Sequence, residues 1–259
     1  MARFFLDKTE LADFGALINA FPSDALASPT RSTVPLLDYW RDPISRLREL
    51  AAAVRLDDLS AATLCFEYQV PVQRGRGKAS HTDLMILGPG AAVAIEAKYT
   101  EPPYETVKSW LREPETPNRR NVLEGWIELI AAASGRAVRV ADALELPYQM
   151  IHRVASVCFV EARERRVVYQ LFGQQDNEYY LNHLSALTRL IHAHGDLRVF
   201  VMSCVTAELI ELASLVEGWR RTKYDMADEV RRALRHEPLF SFSAPAFLEV
   251  GLPGASAEH

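Results

Sequence analysis

Asp83, Glu96 and Lys98, in the stretch HTDLMILGPGAAVAIEAKYTE, place two carboxylates and an ammonium at a spacing suited to phosphodiester hydrolysis. Two carboxylates can hold a hard divalent cation, and such an ion can activate a water against a phosphate. Glu96 and Lys98 are two residues apart, so in a strand they share a face. Gly88-Pro89-Gly90 reads as a tight turn between the apolar runs TDLMIL and AVAIEAKY, and a hairpin there brings Asp83 beside the pair. Charges are depleted from strands, and any that are buried must be paired or bound to metal. The competing reading of the same triplet is a partly exposed ion pair on an edge hairpin.

The elements that position these groups follow from patterning. Strands are expected at about 62–71, 79–87 and 91–99. A helix is expected to start at Asp42-Pro43 and run to about residue 55, with Leu47, Leu50 and Val54 as its apolar stripe. Further helices are expected at about 120–134 and 141–155, and in EYYLNHLSALTRLIHAHG with Gly195 as its end signal. ASVCFVEA, RVVYQLFG and LRVFVMSCV read as buried strands, and TAELIELASLVEGWR as a helix capped at Thr206. Residues 3–20 read as a short amphipathic helix and the Pro- and Ser-rich stretch after it as a linker. This divides the chain into an N-terminal helix and linker (1–35), an α/β domain (36–240) and an irregular tail (241–259). The fold class is α/β, a mixed central sheet flanked by helices.

The triplet resembles the motif of the PD-(D/E)XK nuclease superfamily, in which an Asp on the second core strand precedes a Glu-x-Lys on the third. Asp83, Glu96 and Lys98 match those positions, with Thr82 where the family often has Pro. The resemblance implies a restriction-endonuclease-like core (helix, three-strand meander, helix, strand) with helical additions, the strand near residue 157 being the fourth. It implies a hydrolase, a nuclease that holds Mg²⁺ or Mn²⁺ on Asp83, Glu96 and the carbonyl of Ala97, with Lys98 orienting the attacking water. An extra acid would come from Glu67 in TLCFEYQVPV, preferred over Glu49 on the preceding helix. Gln149 and His152, with Arg153 behind them, are candidates for the polar position on the later helix. The alternative is a nuclease-like fold without catalysis, acting as a nucleic-acid or protein binding module.

The expected partner is nucleic acid, DNA in the first place. A net charge of -5 works against it, but local field counts for more than net charge. Arg74, Arg76 and Lys78, in the turn just before Asp83, could contact phosphates beside the cut, against a reading of this turn as a solvated hairpin tip. A double-strand cutter would call for a two-fold homodimer. No apolar run has bilayer length, and the N-terminus lacks a signal-peptide core, so no membrane partner and a cytoplasmic location are expected. Cys65, Cys158 and Cys204 lack metal-ligand spacing and are expected to be small buried hydrophobes. No P-loop, Rossmann glycine pattern, GxSxG or HExxH motif points to another enzyme class.

Overall fold

A computed structural model describes residues 2–112, 116–173 and 177–251. The chain begins with strands β1 (Arg3–Leu6) and β2 (Thr9–Leu11), then helices α1 (Phe14–Ala20), α2 (Ser23–Leu26), α3 (Thr33–Tyr39) and α4 (Pro43–Ala53). Strands β3 (Thr63–Val70), β4 (Ser80–Gly88) and β5 (Ala91–Lys98) follow. Helices α5 (Val107–Leu111), α6 (Pro117–Ser134) and α7 (Tyr148–Phe159) lead to strand β6 (Glu164–Phe172). Then come α8 (Asn177–Ile191), β7 (Leu197–Cys204), β8 (Thr206–Glu208), α9 (Ile210–Thr222), α10 (Ala227–His236), β9 (Phe240–Phe242) and β10 (Ala246–Glu249).

The result is an α/β fold on a mixed eight-stranded sheet, ordered β10-β7-β6-β5-β4-β3-β1-β2. β3, β4 and β5 form the antiparallel meander. β5, β6 and β7 are parallel, with helical crossovers between them. β5 is buried at all of its residues, as a central strand covered on both faces must be. One face packs Val93, Ile95 and Phe172 against Leu17, Leu47 and Leu234 of α1, α4 and α10. The other packs Met85, Ala94 and Val167 against Trp126, Val154 and Leu187 of α6, α7 and α8.

Several local expectations are corrected. Residues 3–20 hold the β1–β2 hairpin, with helix only from Phe14, where the Asp13 carboxylate caps the Ala16 amide. The stretch read as linker contains α2 and α3. ASVCFVEA is not a strand: residues 155–159 end α7, and the next strand is β6. A continuous apolar run fits a buried helix as well as a buried strand. The segment from Thr206 starts as the short β8, and α9 begins only at Ile210. β9 and β10 fall where an irregular tail was expected from residue 241, and the residues past 251 lie outside the described ones. Among the described residues no helix is long and apolar enough to cross a membrane.

Candidate active site

β4 and β5 pair in register from Gly88–Ala91 to Leu84–Ile95, and there the paired register ends. Beyond it the Asp83 side chain takes the place of backbone: its Oδ2 accepts the Ala97 amide at 2.8 Å. Asp83 is thus held between the two residues on which the chemistry would depend. Glu96 and Lys98 project together, 1 % and 2 % exposed. Lys98 Nζ donates to Glu96 Oε1 at 2.6 Å, and Gln149 Nε2 of α7 donates to the same oxygen at 2.5 Å. The Arg153 guanidinium, one turn further along α7 and also buried, lies against Glu96 Oε2. Arg153 Nη1 also donates to the His81 carbonyl and the Thr82 hydroxyl, which fixes it to the start of β4.

Glu67 lies on the neighbouring strand. β3 pairs Phe66 with Leu84 and Tyr68 with Thr82, while Glu67 between them adopts a left-handed backbone, φ +52°. Such a conformation is costly for a residue with a Cβ and persists only where its surroundings enforce it. Asp7, in the β1–β2 turn, enforces it: its amide donates to the Phe66 carbonyl at 2.7 Å and its Oδ1 accepts the Gln69 amide at 2.9 Å.

Burial and neighbouring charge give each group a distinct protonation tendency. Burial, with the Glu96 charge added, pushes the Asp83 carboxyl well above the usual carboxylate range. Glu96 goes the other way: burial opposes its charge, but Arg153 and Lys98 outweigh burial and keep it ionised. Lys98 is likewise desolvated, yet Glu96 and Asp83 raise its pKa. Burial raises Glu67, with His81 as a partial counterweight at 3.4 Å. Glu96 Oε2 and Arg153 Nε meet as an ion pair, while the buried hydroxyl of Tyr169, opposite Glu96 on β6, lacks a hydrogen-bond partner among the described residues. Among the described residues no group of three or more acids, histidines or cysteines is gathered closely enough to hold a metal.

The model of a family described as a domain of unknown function, DUF6946, matches residues 16–224. The chain belongs to the DUF6946 family. No curated protein and no solved structure matches it. In this DUF6946 member the matched span contains every candidate residue of the buried cluster, from Glu67 to Arg153.

The other sequence candidates in this DUF6946 chain are placed differently. Glu49 lies on α4, which covers the opposite face of the sheet, and its carboxylate meets Arg46 and the Tyr39 hydroxyl, both at 3.4 Å. His152 bonds Ser80 Oγ at 2.8 Å and packs against the Tyr148 ring. Burial, reinforced by Arg153 and Lys98, pushes its pKa well below the ordinary value, so it is a neutral packing group beside the cluster. In the turn before β4, Arg74 is paired with Glu128 at 2.6 Å and Glu124 at 3.3 Å on α6. Arg76 and Lys78 are exposed, and neither charged group has an ion pair among the described residues. Cys65 and Cys204 are buried, while Cys158 is half-buried on α7 rather than in a strand. Sequence reasoning missed Asp7 and gave Arg153 no part in pairing Glu96. Arg153 was findable: it lies four residues after Gln149, one helical turn on the same face.

Proposed function

We propose that this chain is a metal-dependent phosphodiesterase that cleaves DNA, built on a restriction-endonuclease-like core. The order α4, β3–β4–β5, α7, β6, with β6 parallel to β5, supports that core as helix, meander, helix and strand. The observation that carries the reading is the convergence of Asp83, Glu96, Lys98 and Gln149 where β4 and β5 stop pairing.

The donors suit Mg²⁺ or Mn²⁺ in kind. They are hard oxygens, and Mg²⁺ is commonly held by one or two carboxylates with water and substrate phosphate completing its shell. The Asp83 carboxyl, pushed up by burial and the Glu96 charge, is the group whose ionisation a cation would favour. Asp83 and Glu96 would hold the ion, with the Ala97 carbonyl as the expected further oxygen and Glu67 nearest in reserve. Bound there, a divalent cation would polarise the scissile phosphate and lower the pKa of a water. Lys98 keeps its proton and so presents a fixed positive charge to the phosphate as negative charge builds on it. Gln149 holds the Glu96 carboxylate in one orientation, which keeps that geometry from drifting.

The test is incubation with plasmid, linear and branched DNA and Mg²⁺. Cleavage should be lost in Lys98→Ala and in Asp83→Ala, both checked for folding by circular dichroism. Activity that survives both substitutions would sink the assignment.

One observation favours the second reading, a binding module without catalysis. Arg153 already supplies a positive charge against Glu96, where a metal would do so. Calorimetric titration with Mn²⁺ separates the two. A working site should take up the ion more tightly as pH rises and Asp83 ionises, releasing protons to the buffer. No heat of binding across the pH series would favour the binding module.

A further inference from the structure

We infer that the cavity between the β3–β4 loop and α6 binds the phosphate of a nucleotide together with its base. This inference rests on the nucleic-acid reading above and assigns that reading a second, separate subsite.

The cavity is about 310 Å³ and is lined in part by Arg76, Lys78, Asn118, Arg119, Trp110 and Tyr148. That volume lies within the range of small-molecule sites. Three cations, Arg76 and Lys78 from the loop and Arg119 from α6, line the cavity and match the charge of a phosphate. Arg76 and Lys78 carry no ion pair among the described residues, which leaves both charges available. Arg74, two residues before Arg76, is committed to Glu124 and Glu128 and lies outside the cavity lining.

The loop is built to hold this shape. Asn118 clamps the backbone of Arg76 in both directions, accepting its amide at 2.7 Å and donating to its carbonyl at 2.8 Å. Gly75 has φ +73°, and a Cβ there would come within 2.9 Å of the Val122 side chain. Only glycine satisfies both the conformation and the approach. The aromatic wall is equally fixed. Trp110 and Tyr148 stack at 3.8 Å with 7° between planes, Arg119 lies 5.9 Å from the Trp110 ring centre, and Trp126 donates to the Tyr148 hydroxyl at 3.1 Å. Aromatic surface beside cations is what single-stranded nucleic acid uses, base on ring and phosphate on charge.

The cavity also lies near the carboxylates in the chain. Tyr148 is followed by Gln149, which bonds Glu96. Lys78 precedes Asp83 by five residues, a span of at most roughly 17 Å of extended chain. A strand held in the cavity would therefore reach the acids within a few nucleotides.

The experiment is titration calorimetry in EDTA at low salt, with adenosine 5′-monophosphate, adenosine, inorganic phosphate and a 5′-phosphorylated thymidine tetranucleotide. The monophosphate should bind saturably, and adenosine and phosphate alone should each be about tenfold weaker. Arg76→Gln with Lys78→Gln should weaken monophosphate binding about tenfold, while Arg74→Ala changes it less than about twofold. Tighter binding of the tetranucleotide assigns the cavity to a strand, and equal or weaker binding to a free nucleotide. Equal affinity for adenosine and its monophosphate, or equal damage from Arg74→Ala, would overturn the inference. The titration is metal-free, so monophosphate binding together with no DNA cleavage in the separate Mg²⁺ assay leaves the cavity in place and removes the nuclease reading. Cleavage with no monophosphate binding does the reverse.

Discussion

Asp83→Asn should abolish DNA cleavage and, in the same protein, raise the melting temperature of the metal-free chain at neutral pH. The two effects share one cause. The half-buried Asp83 carboxyl lies beside the Glu96 charge, and its folded-state pKa is raised. A group raised on folding contributes stability that is fully present below its unfolded pKa and lost as pH climbs through the folded one. Ionised Asp83 is therefore a liability at neutral pH, and asparagine removes it. The amide oxygen can still accept the Ala97 amide that Asp83 Oδ2 now accepts, so the local fold has its bond. Activity goes the other way, because a neutral amide cannot replace a carboxylate in cation binding. A loss of about a thousandfold corresponds to roughly 4 kcal/mol of transition-state stabilisation. Thermal melts across pH should show the stability gap between variant and parent widening as pH rises and closing in acid. Adding Mn²⁺ should stabilise the parent alone. A variant less stable than its parent at neutral pH would show that Asp83 folds as a paired anion.

Arg153→Met should be the most damaging single substitution for stability. It leaves Glu96 buried with Lys98 and Gln149 as its remaining partners, and strips the His81 carbonyl and Thr82 hydroxyl of their donor. Removing one member of a buried ion pair costs about 3–5 kcal/mol. For a domain of this size that is a fall in melting temperature of roughly 6–20 °C. Pairing it with Glu96→Gln should recover part of the loss, since the stranded charge is then gone, and a double-mutant cycle measures the coupling. The variant also divides the two functional readings. If the carboxylates hold a cation, Mn²⁺ should restore part of the stability that the guanidinium supplied. If Mn²⁺ restores none, Arg153 has taken the ion's place permanently.

The meander was readable because its signals agree. Gly88-Pro89-Gly90 fixes a turn, and the apolar runs on either side are bounded by charge. Strands β3, β4 and β5 accordingly begin and end within a residue or so of expectation. Elsewhere the local signals conflict. RFFL and TEL are too short to show a period, and with the helical residues after them they pass for one amphipathic helix. The end of α7, VASVCF, is a short apolar run largely buried between the sheet and neighbouring helices, and such a run fits a strand as well as a helix end. The helix expected through residue 155 already held Gln149, His152 and Arg153, but which carboxylate Arg153 meets depends on how α7 sits on the sheet. The end of pairing between β4 and β5 has no signature in residue types. It is a tertiary outcome, visible only once Asp83 is seen to bond the Ala97 amide.

The bond between the Asp7 turn and β3 makes the extreme N-terminus a part of the machinery. The region shared with the DUF6946 family starts at residue 16, and an expression boundary placed there would remove β1 and β2. β3 would then become a bare outer strand, a template for sticking to other chains. Glu67 would lose the brace that keeps its backbone in a conformation it would not choose. Such a truncated protein would fail in the test tube through insolubility, and its silence in a cleavage assay would say nothing about the acids themselves.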